Sequence, residues 1–274
     1  MKLLIVTQKV DDLDPILGFF TRWIQEFGRS CESLTIITQS IGQHALPKNI
    51  EVCSLGKEKA ESRLTQIIQF WRLIIAKRGQ YDRVLVHMTP VWVVVGAPVW
   101  LLLRKKVYLW YESRGTRLSL RLALLIVRKV FSASVKGMPL ATDKSVITGH
   151  GIDTDEFTVG VKKRDAHSLI TIGRITKAKR MDVLVQSVSG LPSEYSLKIV
   201  GNPITSDDQE HLKALKEMMD DRMSIVSLTH HEVSKELQKT EIFVHASTTP
   251  MDKAVLEAMA SGCIVISSCD AVTP

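Results

Sequence analysis

The feature that most limits how this chain can fold is a recurring alternation of short β-branched, apolar runs with stretches whose apolar residues fall at helical spacing. Residues 3–7 read as a buried first strand and residues 10–14 as the loop behind it, after which Phe19, Phe20, Trp23, Ile24 and Phe27 form one apolar helical face. Strands are predicted at 34–38, 50–55, 84–86, 106–111 and 130–133, with helices over 64–75 and 118–130. A strand–helix–strand grammar of this kind builds a parallel sheet covered by helices on both faces. Five or six strands are expected in this doubly wound first half.

The same grammar restarts near residue 169. Strands are predicted at 169–172, 196–200, 225–226, 242–245 and 263–267, and helices at 181–188, 210–219, 231–239 and 253–260. Between the halves lie Gly149-His150-Gly151-Ile152-Asp153 and a polar stretch over 160–167, where composition turns from apolar to Lys, Arg and Asp. Two Rossmann-like domains are therefore expected, 1–158 and 159–274. The last strand precedes Pro274 with no helix to cover it, so the second domain is expected to be incomplete.

One stretch admits two readings. Residues 84–103 are apolar and long enough to raise the question of a membrane span. Pro90, Pro98 and His87 interrupt the run, which favours a buried strand, a turn at 88–90 and a buried helix. The N-terminus, with acidic residues soon after its first apolar run, fits a buried strand better than a signal peptide.

A formal net charge of +7 points to an anionic partner, whether a nucleotide diphosphate, nucleic acid or an acidic membrane face. No Lys/Arg tract, Arg-Gly run or aromatic-basic interleaving supports nucleic acid. Cys31, Cys53, Cys263 and Cys269 lack metal-site spacing and are read as reduced thiols of a cytoplasmic protein, most of them small core residues. No Gly-x-Gly-x-x-Gly follows the first strand, which argues against a dinucleotide-dependent oxidoreductase.

Ligands of open α/β sheets collect at the carboxyl ends of strands, and four clusters stand there. Gly173-Arg174 with Lys177, Lys179 and Arg180 follows the strand that opens the second half, where cations either meet phosphate oxygens or form a solvated charge run. Asp252, Lys253 and Glu257 lie on a compact apolar helix. Asp252 reads as a cap or a ligand group, while Glu257, set among Leu256, Ala258 and Met259, has to face solvent or find a donor such as a pair of ribose hydroxyls. His150 and Asp153 read mainly as architecture between the domains. In the first half, Asp11, Asp12 and Asp14 near Gly18, then His87, then Glu112-Ser113-Arg114, form a polar rim, with His87 equally readable as a core histidine.

These motifs, in this order, resemble the retaining GT-B glycosyltransferases of family 4. Residues 172–179 resemble the family's strand, Gly-Arg and downstream Lys pattern, and residues 252–262 its Leu-Glu-Ala-Met-Ala-x-Gly stretch. His150-Gly151-Ile152-Asp153 resembles its Asn-Gly-Val-Asp turn. The resemblance implies a GT-B fold and metal-independent transfer of sugar from a nucleotide-diphosphate-sugar, with no other cofactor, to a saccharide or lipid-linked acceptor in polysaccharide biosynthesis. It implies that Arg174 and Lys179 hold the donor diphosphate, that Glu257 binds the ribose, that Gly18 and Gly173 pass close to the donor, and that Asp252 and Lys253 contribute to the donor site. His87, Glu112, Ser113 and Arg114 are the implied sugar or acceptor contacts. Thr249 stands where the family's earlier paired glutamate falls, and Ser113 where members often carry histidine. A nucleotide-sugar-binding or scaffolding relative with impaired catalysis is the alternative those departures allow. Peripheral contact with the cytosolic face of a membrane, through Trp92, Trp100 and Arg104-Lys105-Lys106, is a further expectation.

Overall fold

The computed structural model describes residues 1–14, 16–113, 115–161, 163–247 and 252–268. Arg114, Thr249, Cys269 and Pro274, each named above, lie outside the described residues. The chain divides into two units, Met1–Gly149 and His150–Pro274.

The first unit holds a seven-stranded, wholly parallel sheet. Its elements run β1 (Lys2–Val10), α1 (Gly18–Ser30), β2 (Ser33–Ile41), β3 (Ile50–Ser54), α2 (Arg63–Ala76), β4 (Arg83–His87), α3 (Pro90–Leu102), β5 (Lys106–Trp110), α4 (Leu118–Ile126), β6 (Lys129–Ser132) and β7 (Ser145–Ile147). The spatial order is β3-β2-β1-β4-β5-β6-β7, so the winding reverses between β1 and β4. One face of the sheet packs α1 through Phe20 and Ile24 against Leu3, Ile5, Leu34 and Ile36. The other packs α2, α3 and α4 through Phe70, Ile74, Val93, Trp100, Leu120 and Ala123 against Leu4, Val6, Val84 and Leu109.

The long apolar run resolves into β4 and α3, separated by Met88 and Thr89. Pro90 opens α3, where a missing N–H costs nothing, and Pro98 lies inside it. Among the described residues no helix is long and apolar enough to cross a membrane. Two details differ from the sequence reading. Helix α4 stops at Ile126 rather than running to 130, because Val127 is extended, and β7 pairs with β6 as a seventh strand.

The second unit runs β8 (Asp165–Ile172), α5 (Met181–Ser189), β9 (Ser196–Val200), α6 (Ser206–Glu217), β10 (Met223–Val226), α7 (His230–Lys239), β11 (Thr240–His245), α8 (Lys253–Ala260) and β12 (Ile264–Ser267). Its parallel sheet is ordered β10-β9-β8-β11-β12, reversing between β8 and β11. Helices α5 and α6 cover one face and α7 and α8 the other. The units divide at 149/150 rather than at 158/159, because Phe157 is buried with Ile170, Val233 and Phe243 and the Ser234 hydroxyl donates to the Glu156 carbonyl at 2.6 Å. Arg164 ties this unit together, donating to the carbonyls of Leu237 (2.7 Å), Thr240 and Ser261. Cys31 and Cys263 are buried and Cys53 half-buried, all three as free thiols.

Candidate functional site

The reversal between β8 and β11 leaves a crevice beyond the carboxyl ends of those strands, and the described residues there carry most of the second-half candidates. Strand β8 ends at Ile172, and Gly173 turns with φ +155°, a region glycine enters without strain. A Cβ on Gly173 would stand 3.2 Å from Lys179 Cε, so the glycine lets the lysine lie across the strand tip. Next to it, a Cβ on Gly201 at the end of β9 would fall 1.8 Å from the Gly173 carbonyl oxygen. The two strand tips therefore meet backbone to backbone. A short 3-10 turn over Lys177–Lys179 and a left-handed Arg180 (φ +50°) then deliver the chain into α5.

Lys179 is ion-paired with Asp252, whose Oδ2 also accepts a hydrogen bond from His245 Nε2 at 3.1 Å. The other ring nitrogen of His245 meets Ser267 Oγ at 3.1 Å, so the tips of β8, β11 and β12 are joined through one carboxylate. Burial opposes ionisation of Asp252, but the His245 hydrogen bond and the Lys179 charge overcome it and hold the carboxyl well below the usual range. Asp252 occupies the N-cap position of α8 yet makes no side-chain cap bond, so the cap reading fails. The first turn of α8 is left without a carboxylate over its N–H groups, a place where an anion is favoured.

Glu257 is buried, 5% exposed. Its Oε1 meets His230 Nε2 at 3.2 Å and Lys253 Nζ at 3.5 Å, while its Oε2 makes no hydrogen bond among the described residues. The helix carrying His230 begins with a reciprocal capping box between Thr229 and Glu232, which fixes the imidazole at the first helical position. His230 also faces Glu156 Oε2 at 3.5 Å and packs edge-on against Phe157, with ring centroids 4.9 Å apart. Lys179, Asp252, Lys253 and Glu257 thus gather around the start of α8. Arg174 is exposed beside Gly173, makes no hydrogen bond or ion pair among the described residues, and adds to the lowering of the Asp208 carboxyl behind that group's own backbone hydrogen bonds.

The first-unit candidates behave differently. His87 is buried, stacked on Phe20 with centroids 3.9 Å apart, and its Nδ1 meets Thr7 Oγ1 at 3.1 Å. Burial pushes its pKa down to about 3, which makes it a neutral core histidine rather than an open contact for a sugar. Glu112 braces a loop: Oε2 accepts from Ser132 Oγ (2.7 Å), Ala133 N (2.7 Å) and Ser134 N (3.2 Å), and Oε1 from Ser134 Oγ (2.8 Å). The Ser113 N–H donates to the Gly137 carbonyl at 2.9 Å, and its hydroxyl accepts from Gly115 N at 3.3 Å. At Gly18, which opens α1, a Cβ would stand 3.0 Å from the Asp12 carbonyl oxygen, so the glycine admits its own loop. Asp11 and Asp14 converge on Lys9 at 3.0 and 2.7 Å.

Residues 166–273 match the family described as Glycosyl transferases group 1, a stretch that takes in every second-half candidate from Gly173 to Glu257. Anabaena Alr3699/HepE in complex with UDP and glucose superposes with a TM-score of 0.77 at 15% identity, over 99% of this chain and 82% of that one. Across both units the fold is GT-B. WaaG, a glycosyltransferase involved in lipopolysaccharide biosynthesis, shares this GT-B fold with a TM-score of 0.70 at 14% identity, covering 98% and 82%. The UDP-GlcNAc 2-epimerase from Methanocaldococcus jannaschii gives 0.57 at 14% identity, covering 97% and 83%, so the GT-B fold serves more than one reaction. No curated protein matches the chain in sequence.

His230, His245, Glu156 and Gly201 are parts of this site that the sequence reading does not reach. The Thr229-x-x-Glu232 box is the available signal for His230, since it marks a helix start and so the first residue of that helix.

Proposed function

We propose that the protein is a retaining glycosyltransferase that takes a sugar from a nucleotide-diphosphate-sugar and passes it to a saccharide or lipid-linked acceptor hydroxyl. The observation that carries this reading is the cluster of Lys179, Lys253 and Glu257 around the start of α8, where the Asp252 side chain makes no cap bond. The cations and helix N-terminus suit a diphosphate, and the open Oε2 of Glu257 suits a ribose hydroxyl pair. Arg174, exposed beside the same strand tip, supplies a further cation.

Negative charge grows on the departing diphosphate in the transition state, so preorganised cations there lower the barrier more than they tighten the ground state. Lys179 would provide this after exchanging part of its contact with Asp252 for phosphate oxygen. Asp252, with one oxygen already committed to Lys179 and His245, would have the other for the transferring sugar.

A second reading keeps donor binding without turnover, and the Lys179–Asp252 pair favours it because the cation already has a counterion. One pair of measurements separates the two. Calorimetric titration with UDP and UDP-sugars should show binding that Glu257→Ala weakens about 100-fold, the loss of two charge-assisted hydrogen bonds. Transfer or donor hydrolysis by the wild type then supports the enzyme, and binding alone supports the non-catalytic relative. Folded protein that binds no nucleotide-sugar overturns both.

A further inference from the structure

The basic character of the chain is not where a nucleotide site would use it. The unit that holds the candidate site, residues 150–274, has 14 Lys and Arg against 18 Asp and Glu, a net of −4. The first unit carries +11, and all of it falls within residues 63–129, where 13 basic residues stand against only Asp82 and Glu112. The rest of that unit sums to zero. Glu112 is consumed internally by the loop at 132–134, which leaves the stretch more one-sided still at its surface.

This stretch contains the layer of α2, α3 and α4 on one face of the sheet, with α3 packed between the other two. Of its basic residues Arg63, Arg72 and Arg121 lie on these helices, Lys77, Arg78, Arg104, Lys105, Arg117 and Arg128 lie in the turns beside them, and Arg83, Lys106 and Lys129 open strands. Its outer side is apolar in an ordered way. Along α2, Leu64 (67% exposed), Ile68 (48%), Trp71 (41%) and Ile75 (47%) fall at i, i+4, i+7 and i+11, one stripe pointing away from the core. Along α4, Leu118 (69%), Leu122 (39%) and Leu125 (78%) repeat the first three of those steps. Single exposed apolar residues are ordinary, but two such stripes in one helical layer are not. Exposed arginines flank them: Arg63 and Arg72 on α2, Arg121 on α4 and Arg128 just beyond it. Trp92 and Trp100, the aromatic residues that the sequence suggests for surface contact, are buried at 6% and 0% and cannot serve.

From this we infer that the outer face of α2, α3 and α4 docks onto the surface of an anionic lipid bilayer, with the two apolar stripes entering the headgroup boundary and the arginines meeting lipid phosphates. Apolar stripes bordered by arginine are the composition of helices that lie in a membrane interface. A second copy of this chain would instead set arginine against arginine across the contact, and such like-charge juxtaposition is disfavoured. Docking of this kind does not depend on the proposed reaction.

The test is sedimentation of the full chain with vesicles of phosphatidylcholine alone and of phosphatidylcholine mixed with phosphatidylglycerol. Binding is expected to the mixed vesicles only and to fall as salt is raised. Arg72→Gln, Arg121→Gln and Arg128→Gln should each lower the partition coefficient roughly fivefold. The triple change Ile68→Ser, Leu122→Ser and Leu125→Ser should abolish binding while thermal unfolding and nucleotide-sugar affinity stay as in the wild type. Equal binding to neutral vesicles, or none to the mixed ones, overturns the inference. So does a stable dimer that the triple change dissociates, because a second protein copy would then be the occupant.

Discussion

Asp252 serves both the stability of the fold and the proposed donor site, and pH separates the two. Its carboxyl is held below the ordinary range in the fold, so its stabilising effect is complete above the unfolded-state value and disappears as pH falls through the folded one. Asp252→Asn should therefore cost about 3 kcal/mol at neutral pH, the lower end for removing one partner from a buried ion pair. The difference from wild type in denaturant unfolding should stay flat from roughly pH 8 to 5 and shrink below about pH 4, as the carboxyl takes up a proton first in the unfolded chain and only at lower pH in the folded one. Lys179→Ala should weaken binding of a nucleotide diphosphate more than that of the free nucleoside, measured by titration with UDP and uridine. The separate residues are legible in the sequence, since Gly173 and Lys179 follow a strand and Glu257 sits in an apolar helix. Their partners are not: His230 lies 27 residues from Glu257 and His245 lies 22 from Ser267, so only folding brings each pair together.

At the scale of the element, the meeting of β8 and β9 sets the floor of the crevice. Gly201 has no room for a side chain, because a Cβ there would overlap the Gly173 carbonyl oxygen. Gly201→Ala should force the strand tips apart, costing about 2 kcal/mol in thermal unfolding, as overpacking commonly does, and weakening nucleotide-sugar binding along with it. The cap of α7 acts at a distance in the same way. Thr229→Ala removes a reciprocal cap worth about 1 kcal/mol and frees the turn that aims His230 at Glu257. Donor affinity should fall, while Thr229→Ser, which keeps the hydroxyl, should restore it. Most elements can be read in advance because their apolar runs are long and regular. Two cannot. Strand β7 is three residues with little burial, and α6 begins at Ser206, about four residues ahead of its expected start, because its opening turn is polar and held by the Thr205–Asp208 box rather than by apolar contacts.

At the scale of the whole molecule, each unit has its own sheet and its own buried clusters. Residues 1–149 expressed alone should therefore unfold in one cooperative denaturant transition, and a gradual loss of signal would show that the unit needs the rest of the chain. The two-domain plan is visible in the sequence because the strand–helix grammar restarts. The run of charge over 63–129 is visible there too, but which of its arginines stand exposed beside the apolar stripes of α2 and α4 is not, because that depends on how the helices pack on the sheet. That distribution has a kinetic consequence. A unit whose surplus charge is gathered in one stretch of chain, on and around one helical layer, feels a torque as it nears a sheet of opposite sign, and it turns to face that sheet before touching it. Salt would then slow arrival as well as loosen attachment, and the first contact would already be made in the correct orientation.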